Sequence, residues 1–519
     1  MSRFLVYNCS GELDDIGHLF PNERLARIAA VIRRQGQDAV VWDRSNFADL
    51  ERFGAAYLRN LGGLGYRESN PLHEAGVEAE ADRIVRGGFD GLFLNLWHGS
   101  GFKFSMDLAK ALKRRQPRLK IYGVGPKVDW YTDHILRLAD GALDALVSGL
   151  GYNAVERLAV GRTPAGVPNL IYREQDQVKH TGTEILNVDD YPSAVYDDAV
   201  YAGIDEKIPI YSITLSNQAC PNPCVFCIRP QNYGRVVRKR ETARVVAEME
   251  SLWLNRGITH FRLEDSTPPG RALTDLASTL LGSRLRGKTT LSAFSRVDVG
   301  AFEDFHRMRE AGFLALFFGI ESLDEERLTQ MRKGTTVAAI RSTVRKAHEA
   351  GIRSVGSFIF PTPGETRRSM KVTLDRIGEL RPWLDSLLVQ PACVYPTTEW
   401  GRHPERHGVR LAPNYLDTAV VYPMRYVIPL RQWPPLPFTF DLMDKKADQV
   451  TFTDMVDVFE EFVRHVTETL RIPLIPDSYY LLADHAKRDP YETWRAVIEG
   501  VLHRDYAGLR RQFGRPKGE

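Results

Sequence analysis

The segment Ile208-Pro-Ile-Tyr-Ser-Ile-Thr-Leu-Ser-Asn-Gln-Ala-Cys220-Pro-Asn-Pro-Cys224-Val-Phe-Cys227 decides the reading of this chain. Its first half is an apolar, β-branched run bounded by Pro209, which reads as a buried strand. Its second half sets three thiols at intervals of four and three residues. Only two other cysteines exist, Cys9 and Cys393. An odd count without a repeated framework does not describe a disulfide scaffold. Three thiolates at this spacing can converge on one soft metal centre. Zinc asks for a fourth protein ligand, and no second Cys or Cys/His pair stands nearby at zinc-finger spacing. A cube of iron and sulfide is held by three thiolates with one iron left open. Zinc and three clustered structural thiols remain the alternatives.

Downstream, strands are expected at about 209–216, 259–264, 289–295, 314–320, 353–360 and 385–392. Helices such as Thr242–Asn255 and Ala338–Ala350 fill the intervals. Six strand–helix units describe an incomplete parallel (β/α)6 barrel of the TIM type, whose chemistry belongs at the C-terminal ends of its strands. Polar or Gly/Pro residues follow every strand. They are the Cys cluster, Glu264-Asp265-Ser266, Ser295-Arg296, Gly319-Ile-Glu321-Ser322, Pro361 to Glu365, and Pro391 to Thr398. Turns and helix caps explain any one of these; six on one rim are harder to explain as packing.

Upstream, Phe4–Tyr7, Ala39–Trp42, Gly91–Leu96, Lys120–Val124 and Ala145–Ser148 alternate with helices, among them Glu23–Arg34 and a charged one at 76–86. Leu25, Ile28, Ala29 and Ile32 mark the apolar face of the first helix. Repeated βα units with apolar strands predict an α/β domain at 1–160 built on a doubly wound, Rossmann-like parallel sheet. Ligands of such sheets bind at the carboxyl ends of the strands. Gly-rich turns fall there, at Trp97 to Gly101, Gly123 to Pro126 and Ser148 to Gly151. No GxGxxG opens the first helix, so a dinucleotide fold is the weaker reading. Residues 161–204 show little periodicity and read as a connecting segment. The barrel is expected over 205–405. A mainly α domain is expected over 406–519, with amphipathic helices such as Met455–Leu470, to cap the barrel or supply an aromatic core through Tyr422, Tyr426, Trp433, Phe438 and Phe440.

The 519 residues carry 69 basic and 66 acidic side chains, a net charge of +3. So small a surplus argues against nucleic-acid binding driven by bulk charge. The apolar stretch Gly312–Ile320 is too short to span a membrane. Polar residues begin soon after Met1, so no signal peptide is expected and the cytoplasm is the expected compartment.

The full CxxxCxφC pattern, with Phe226 as its aromatic, together with Arg296-Val-Asp298, Gly319-Ile-Glu-Ser322 and Pro363-Gly-Glu-Thr366, resembles the radical S-adenosylmethionine (SAM) superfamily. Gly123-Val-Gly125 and Asp144 to Gly151 are similar to the cobalamin-binding domain fused ahead of this barrel in one branch, although Leu150 stands where that branch commonly has Glu. The resemblance implies a 4Fe–4S cluster on Cys220, Cys224 and Cys227, whose open iron is chelated by SAM. It implies cobalamin in the N-terminal domain. It further implies methyl transfer from SAM through methylcobalamin to an unactivated carbon of a small molecule, tryptophan among the candidates. A reductant protein such as a flavodoxin or ferredoxin would supply electrons.

On this resemblance Glu264 and Arg296 are the expected catalytic residues. Glu264 faces the cationic groups of SAM and Arg296 its carboxylate. Phe226, Ser295 and Glu321 complete the SAM contacts. Asn95, His98, Gly99, Gly123, Gly125, Pro126, Ser148 and Gly149 are the expected cobalamin contacts. The cobalt-ligating DxHxxG motif of methionine synthase and the mutases is absent. Asp15-Ile-Gly-His18 has the wrong spacing, and His18 reads as a surface-loop histidine.

Other readings remain. An enzyme of the same build that cyclises or rearranges its substrate is distinguished by the lack of a methylated product. An RNA-modifying radical enzyme would show salt-sensitive RNA binding. A non-enzymatic iron–sulfur sensor would not consume SAM.

Overall fold

The computed structural model describes residues 1–9, 11, 13, 15–53, 70–97, 99–265, 268, 270–298, 302–422 and 429–515. The chain forms two compact units. One comprises Met1–Pro209, Asn414–Pro429 and Glu499–Glu519. The other comprises Ile210–Pro413 and Leu430–Ile498.

The first unit holds an eight-stranded sheet. Its strands are β1 (Arg3–Asn8), β2 (Asp38–Asp43), β3 (Gly91–Asn95), β4 (Lys120–Val124), β5 (Ala145–Val147), β6 (Leu170–Glu174), β7 (Gln177–His180) and β8 (Tyr201–Ala202). Their order is β7-β6-β5-β4-β3-β1-β2-β8. β8, β2, β1, β3, β4 and β5 run parallel, and β6 and β7 add an antiparallel edge. The inner strands are apolar because helices cover both faces. In β1, Leu5 and Val6 are wholly buried, each contributing roughly 1.5–3 kcal/mol by leaving water. Helix Glu23–Arg34 starts where Asn22 accepts from the Leu25 amide at 3.2 Å, an N-cap, and buries the predicted stripe of Leu25, Ile28, Ala29 and Ile32. The strand order reverses between β1 and β3. That reversal opens a crevice beyond their carboxyl ends.

Residues 161–204, expected as a connecting segment, instead carry β6, β7 and β8 and widen this sheet on both sides. Short strands of mixed polarity on sheet edges bury little, so they lack the apolar signature that reveals central strands. Tyr201 shows why β8 is nevertheless fixed: it is fully buried and its hydroxyl donates to Asp43 at 2.7 Å.

The second unit holds six parallel strands in sequential order: β9 (Ile210–Ile213), β10 (His260–Leu263), β11 (Thr290–Arg296), β12 (Phe313–Glu321), β13 (Arg353–Ile359) and β14 (Ser386–Gln390). β9 and β14 stand at opposite ends of this order, so the barrel is incomplete. Helices follow the strands, including Thr242–Arg256, Val337–Glu349 and Arg367–Leu380.

The C-terminal residues, expected as one domain over 406–519, are shared between the two units. They are mainly helical, with one antiparallel pair of strands, Val409–Leu411 and Phe438–Phe440. Of the aromatics expected there, Tyr426 lies outside the described residues; Phe438 and Phe440 are buried and stacked at 6.4 Å.

Candidate active site

The cluster segment begins just past β9. Asp265, fully buried after β10, accepts from the Leu215 amide at 2.5 Å and from the Ser216 hydroxyl. This fixes the chain before it reaches the cysteines. Pro221 and Pro223 then exclude a helix. The Cys220 amide donates to Gly234 O at 3.1 Å and the Val225 amide to Met331 O at 3.1 Å, while Val225 O accepts from Trp400 N at 3.3 Å. A turn closes when the Cys227 amide donates to Cys224 O at 3.2 Å. The sulfurs also accept: Cys220 Sγ lies 3.4 Å from Asn222 Nδ2, and Cys227 Sγ 3.4 Å from the Arg229 amide. Burial pushes the Cys227 thiol up to about 11, with the Cys224 and Cys220 sulfurs close enough to add to the rise. Three converging thiols with amide and amide-side-chain donors on sulfur suit an iron–sulfur cluster. Among the described residues no three His, Cys, Asp or Glu converge tightly enough for one bare ion. A cube takes each thiolate on a separate iron and does not require that convergence.

Arg296, at the end of β11, is 5% exposed. Its Nη1 is 3.7 Å from Cys224 Sγ, its Nε and Nη2 bind both oxygens of Asp298 at 2.8 and 3.2 Å, and its Nη2 donates to Lys333 O at 2.6 Å. The guanidinium is thus held by the protein on its Nε and Nη2 side, with Nη1 toward the cysteine turn. Ser295 stands on the other face of β11. Alternation along β11 turns it away from the barrel interior that Arg296 faces, and its hydroxyl donates to Arg296 O at 3.3 Å.

Glu321 ends β12 with φ +69°, and its Oε1 accepts from Lys333 Nζ at 2.8 Å in a buried pair. A Cβ on Gly319 would stand 2.9 Å from both groups, which explains the glycine in Gly319-Ile-Glu321. Lys333 also lies 5.9 Å from the ring centre of Phe226, which packs 5.8 Å from Trp400. Phe226 therefore serves as a wall between the cluster turn and its supports. Glu264, after β10, is 36% exposed and its Oε1 accepts from Arg262 at 3.0 Å. Cys393 is half-buried, with Sγ 3.8 Å from Pro391 O.

In the first unit, the crevice between β1 and β3 is floored by a buried polar chain. Asn95 donates to Asn8 at 2.7 Å and Asn8 to Asp43 at 2.8 Å. Lys207 pairs with Asp43 at 2.8 Å. Asn95 is thus part of the floor. Gly99 begins helix Gly99–Arg115 at φ +62°. Gly125 has φ +106°, and a Cβ there would stand 2.5 Å from Asn95 and 2.9 Å from Leu96 O. Pro126 caps helix Lys127–Ala139. At Gly123 a Cβ would meet Leu146 at 2.6 Å and Leu96 at 2.9 Å, so packing requires the glycine. Asp129 accepts from Ser148 Oγ at 2.5 Å and from the Gly149 amide at 3.1 Å on each oxygen. Arg24 donates to Gly149 O at 2.6 Å. Glycine-containing turns held by such bonds at the carboxyl edge of the sheet are compatible with cobalamin bound against them. His98 lies outside the described residues. His18 is not a surface-loop residue: its Nε2 accepts from Trp97 Nε1 at 3.1 Å, with the rings edge to face at 5.9 Å. Burial lowers its pKa.

Sequence reasoning missed Arg262, Lys333, Asp477 and Asp129, and quoted Asp298 only as part of a motif, without a role. Arg262 sits two residues before Glu264 on the same strand face, so strand alternation carries its signal. Lys333 and Asp477 approach from distant segments and leave none.

Residues 215–377 match the family model "Radical SAM superfamily". An uncharacterized methyltransferase of Pyrococcus horikoshii is 26% identical over 330 residues, covering 61% of this chain and 70% of that protein. Among solved structures, the radical S-adenosylmethionine methyltransferase TsrM from Kitasatospora setae, with cobalamin and a [4Fe-4S] cluster bound, has a TM-score of 0.69 at 15% identity. It covers 99% of this chain and 100% of its own. The cobalamin-dependent S-adenosylmethionine radical enzyme OxsB, with aqua-cobalamin and S-adenosylmethionine bound, has a TM-score of 0.58 at 15% identity, covering 91% of this chain and 62% of its own. With three thiols gathered after the first strand of an incomplete barrel in one unit and a doubly wound sheet in the other, the chain carries a segment similar to the radical SAM superfamily at 215–377 and has the fold of TsrM.

Proposed function

We propose that the protein transfers a methyl group from SAM to an unactivated carbon of a small molecule, using cobalamin bound by the N-terminal unit and a 4Fe–4S cluster bound by the barrel. The observation that carries this reading is the Cys220–Cys224–Cys227 turn with Arg296 against Cys224. When bound, the cluster supplies electrons and a chelating iron, and cobalamin supplies a carrier for the methyl group. The chain's own residues do the positioning. Asp265 and the two prolines fix the cluster turn. Arg296 keeps positive charge beside a thiolate ligand. Glu264 offers a partly exposed carboxylate to a cationic cofactor. Phe226 and Trp400 shield the turn from water.

The expected substrate is a small molecule, an aromatic one such as tryptophan among the candidates because TsrM was solved with that substrate. Electrons come from a flavodoxin- or ferredoxin-type reductant. No helix among the described residues is long and apolar enough to cross a membrane, and the reading places the enzyme in the cytoplasm.

The test is anaerobic incubation of iron- and cobalamin-loaded protein with SAM carrying an isotopically labelled methyl group, a low-potential reductant and a cell metabolite extract. The expected result is S-adenosylhomocysteine formed only when cobalamin is present, with label in a small molecule. Deoxyadenosine and methionine without labelled product would overturn methyl transfer and favour a cyclase or rearrangement.

A further inference from the structure

Behind Glu264 the barrel contains a charged chain whose other members the proposed function does not use. Along β10, His260 and Arg262 share the face that continues to Glu264. Arg262 donates from Nη1 to Glu264 Oε1 at 3.0 Å. Its Nε and Nη2 grip Asp477 at 3.0 and 2.8 Å, one bond to each oxygen. Asp477 begins helix Asp477–Ala486, more than 200 residues later in the chain. It is fully buried and also accepts from Ser292 Oγ on β11 at 2.8 Å. The guanidinium lies 4.7 Å over the ring of Phe294. The far end of the same helix is fastened too: Asp484 accepts from Thr290 Oγ1 at 2.9 Å and lies 3.0 Å from His260 Nε2.

A bidentate arginine–carboxylate pair fixes direction as well as distance. Arg262 cannot swing toward solvent without abandoning a fully buried carboxylate, which would then be unpaired at high cost. Two carboxylates against one guanidinium leave one negative charge. That charge falls on Glu264, the accessible member, with its side chain 36% exposed against 0% for Asp477. We propose that Asp477 is a positioning residue for Glu264, acting through Arg262, and that the C-terminal helix thereby sets where the rim carboxylate meets the cationic end of SAM. This rests on the reading that Glu264 contacts SAM.

The experiment is a double-mutant cycle read by equilibrium dialysis of SAM with cluster-loaded protein, iron content being checked in every variant. Glu264→Gln is expected to weaken SAM binding about tenfold. Asp477→Asn is expected to weaken it about five- to tenfold when Glu264 is present and less than about twofold in the Glu264→Gln background. Equal losses in both backgrounds, or no loss with Glu264 present, overturn the relay while leaving Glu264 in place. Unchanged affinity in Glu264→Gln removes Glu264 from the SAM site and the relay with it. Should Asp477→Asn fail to fold, Ser292→Ala decides by the same cycle. It is expected to weaken binding about two- to threefold only when Glu264 is present.

Discussion

Asp129 is held by Ser148 Oγ and the Gly149 amide in the interior of the first unit, and burial raises its pKa from 3.8 to about 7. Between these values the folded chain keeps a proton that the unfolded chain releases, so stability falls as pH rises and the loss is complete above about pH 7. The expected consequence is a pH slope that Asp129→Asn flattens. Between pH 5 and 8 the wild type should lose about 2–3 kcal/mol relative to the variant in urea unfolding of the N-terminal transition. Parallel pH profiles for the two proteins would show that the carboxylate is already ionised at pH 5. At the cluster, replacing Cys220, Cys224 and Cys227 by Ala should remove the broad visible absorption and nearly all bound iron after anaerobic reconstitution. Retention of about four irons per chain would place the cluster elsewhere. These cysteines were legible in the sequence because three thiols lie within eight residues. Asp129 was not, because a carboxylate that binds the loop of another strand has no spacing to betray it.

At the next scale, the end of β12 is tied to the segment after helix Glu325–Gln330 by the Lys333–Glu321 pair. Removing one partner strands the other charge indoors. Lys333→Ala is therefore expected to destabilise the barrel by about 3–5 kcal/mol, whereas Lys333→Met with Glu321→Gln should recover much of that loss. Thermal unfolding followed by circular dichroism checks it. Equal melting temperatures for Lys333→Ala and the wild type would mean that water already solvates Glu321. The six barrel strands were readable within a few residues of their ends, because β12 is an almost unbroken apolar run and strands such as β10 and β11 keep buried apolar residues at alternate positions, Phe261 with Leu263 and Leu291 with Ala293. β6, β7 and β8 were not readable. Leu170–Glu174 ends in exposed Arg173 and Glu174, and Gln177–His180 has no buried residue. Such edge strands are specified by their partners' hydrogen bonds, which a single sequence does not display.

Over the whole molecule, the least legible feature is the return of the C-terminus to the N-terminal unit. Nothing in the periodicity of 406–519 separates the residues that join one unit from those that join the other. The division is set by side chains that reach distant partners. Lys127 Nζ donates to Val420 O at 2.5 Å and Tyr131 donates to Ala419 O at 2.8 Å. Arg515 pairs with Asp205 at 2.6 Å, and Arg510 pairs with Glu206. Helix Tyr506–Phe513 buries Tyr506, Leu509 and Phe513 and packs beside helix Phe47–Phe53. Three large apolar side chains at roughly 1.5–3 kcal/mol each amount to about 5–9 kcal/mol, an upper bound because the unfolded chain already buries part of that surface. Ending the chain at Arg504 should therefore destabilise the N-terminal unit and leave the barrel intact. Hydrogen exchange should rise across β1, β2 and helix Glu23–Arg34, cobalamin retention should fall, and iron content after reconstitution should stay at the wild-type level. A truncated protein that keeps its cobalamin but loses its iron would show that the terminal helix supports the barrel instead.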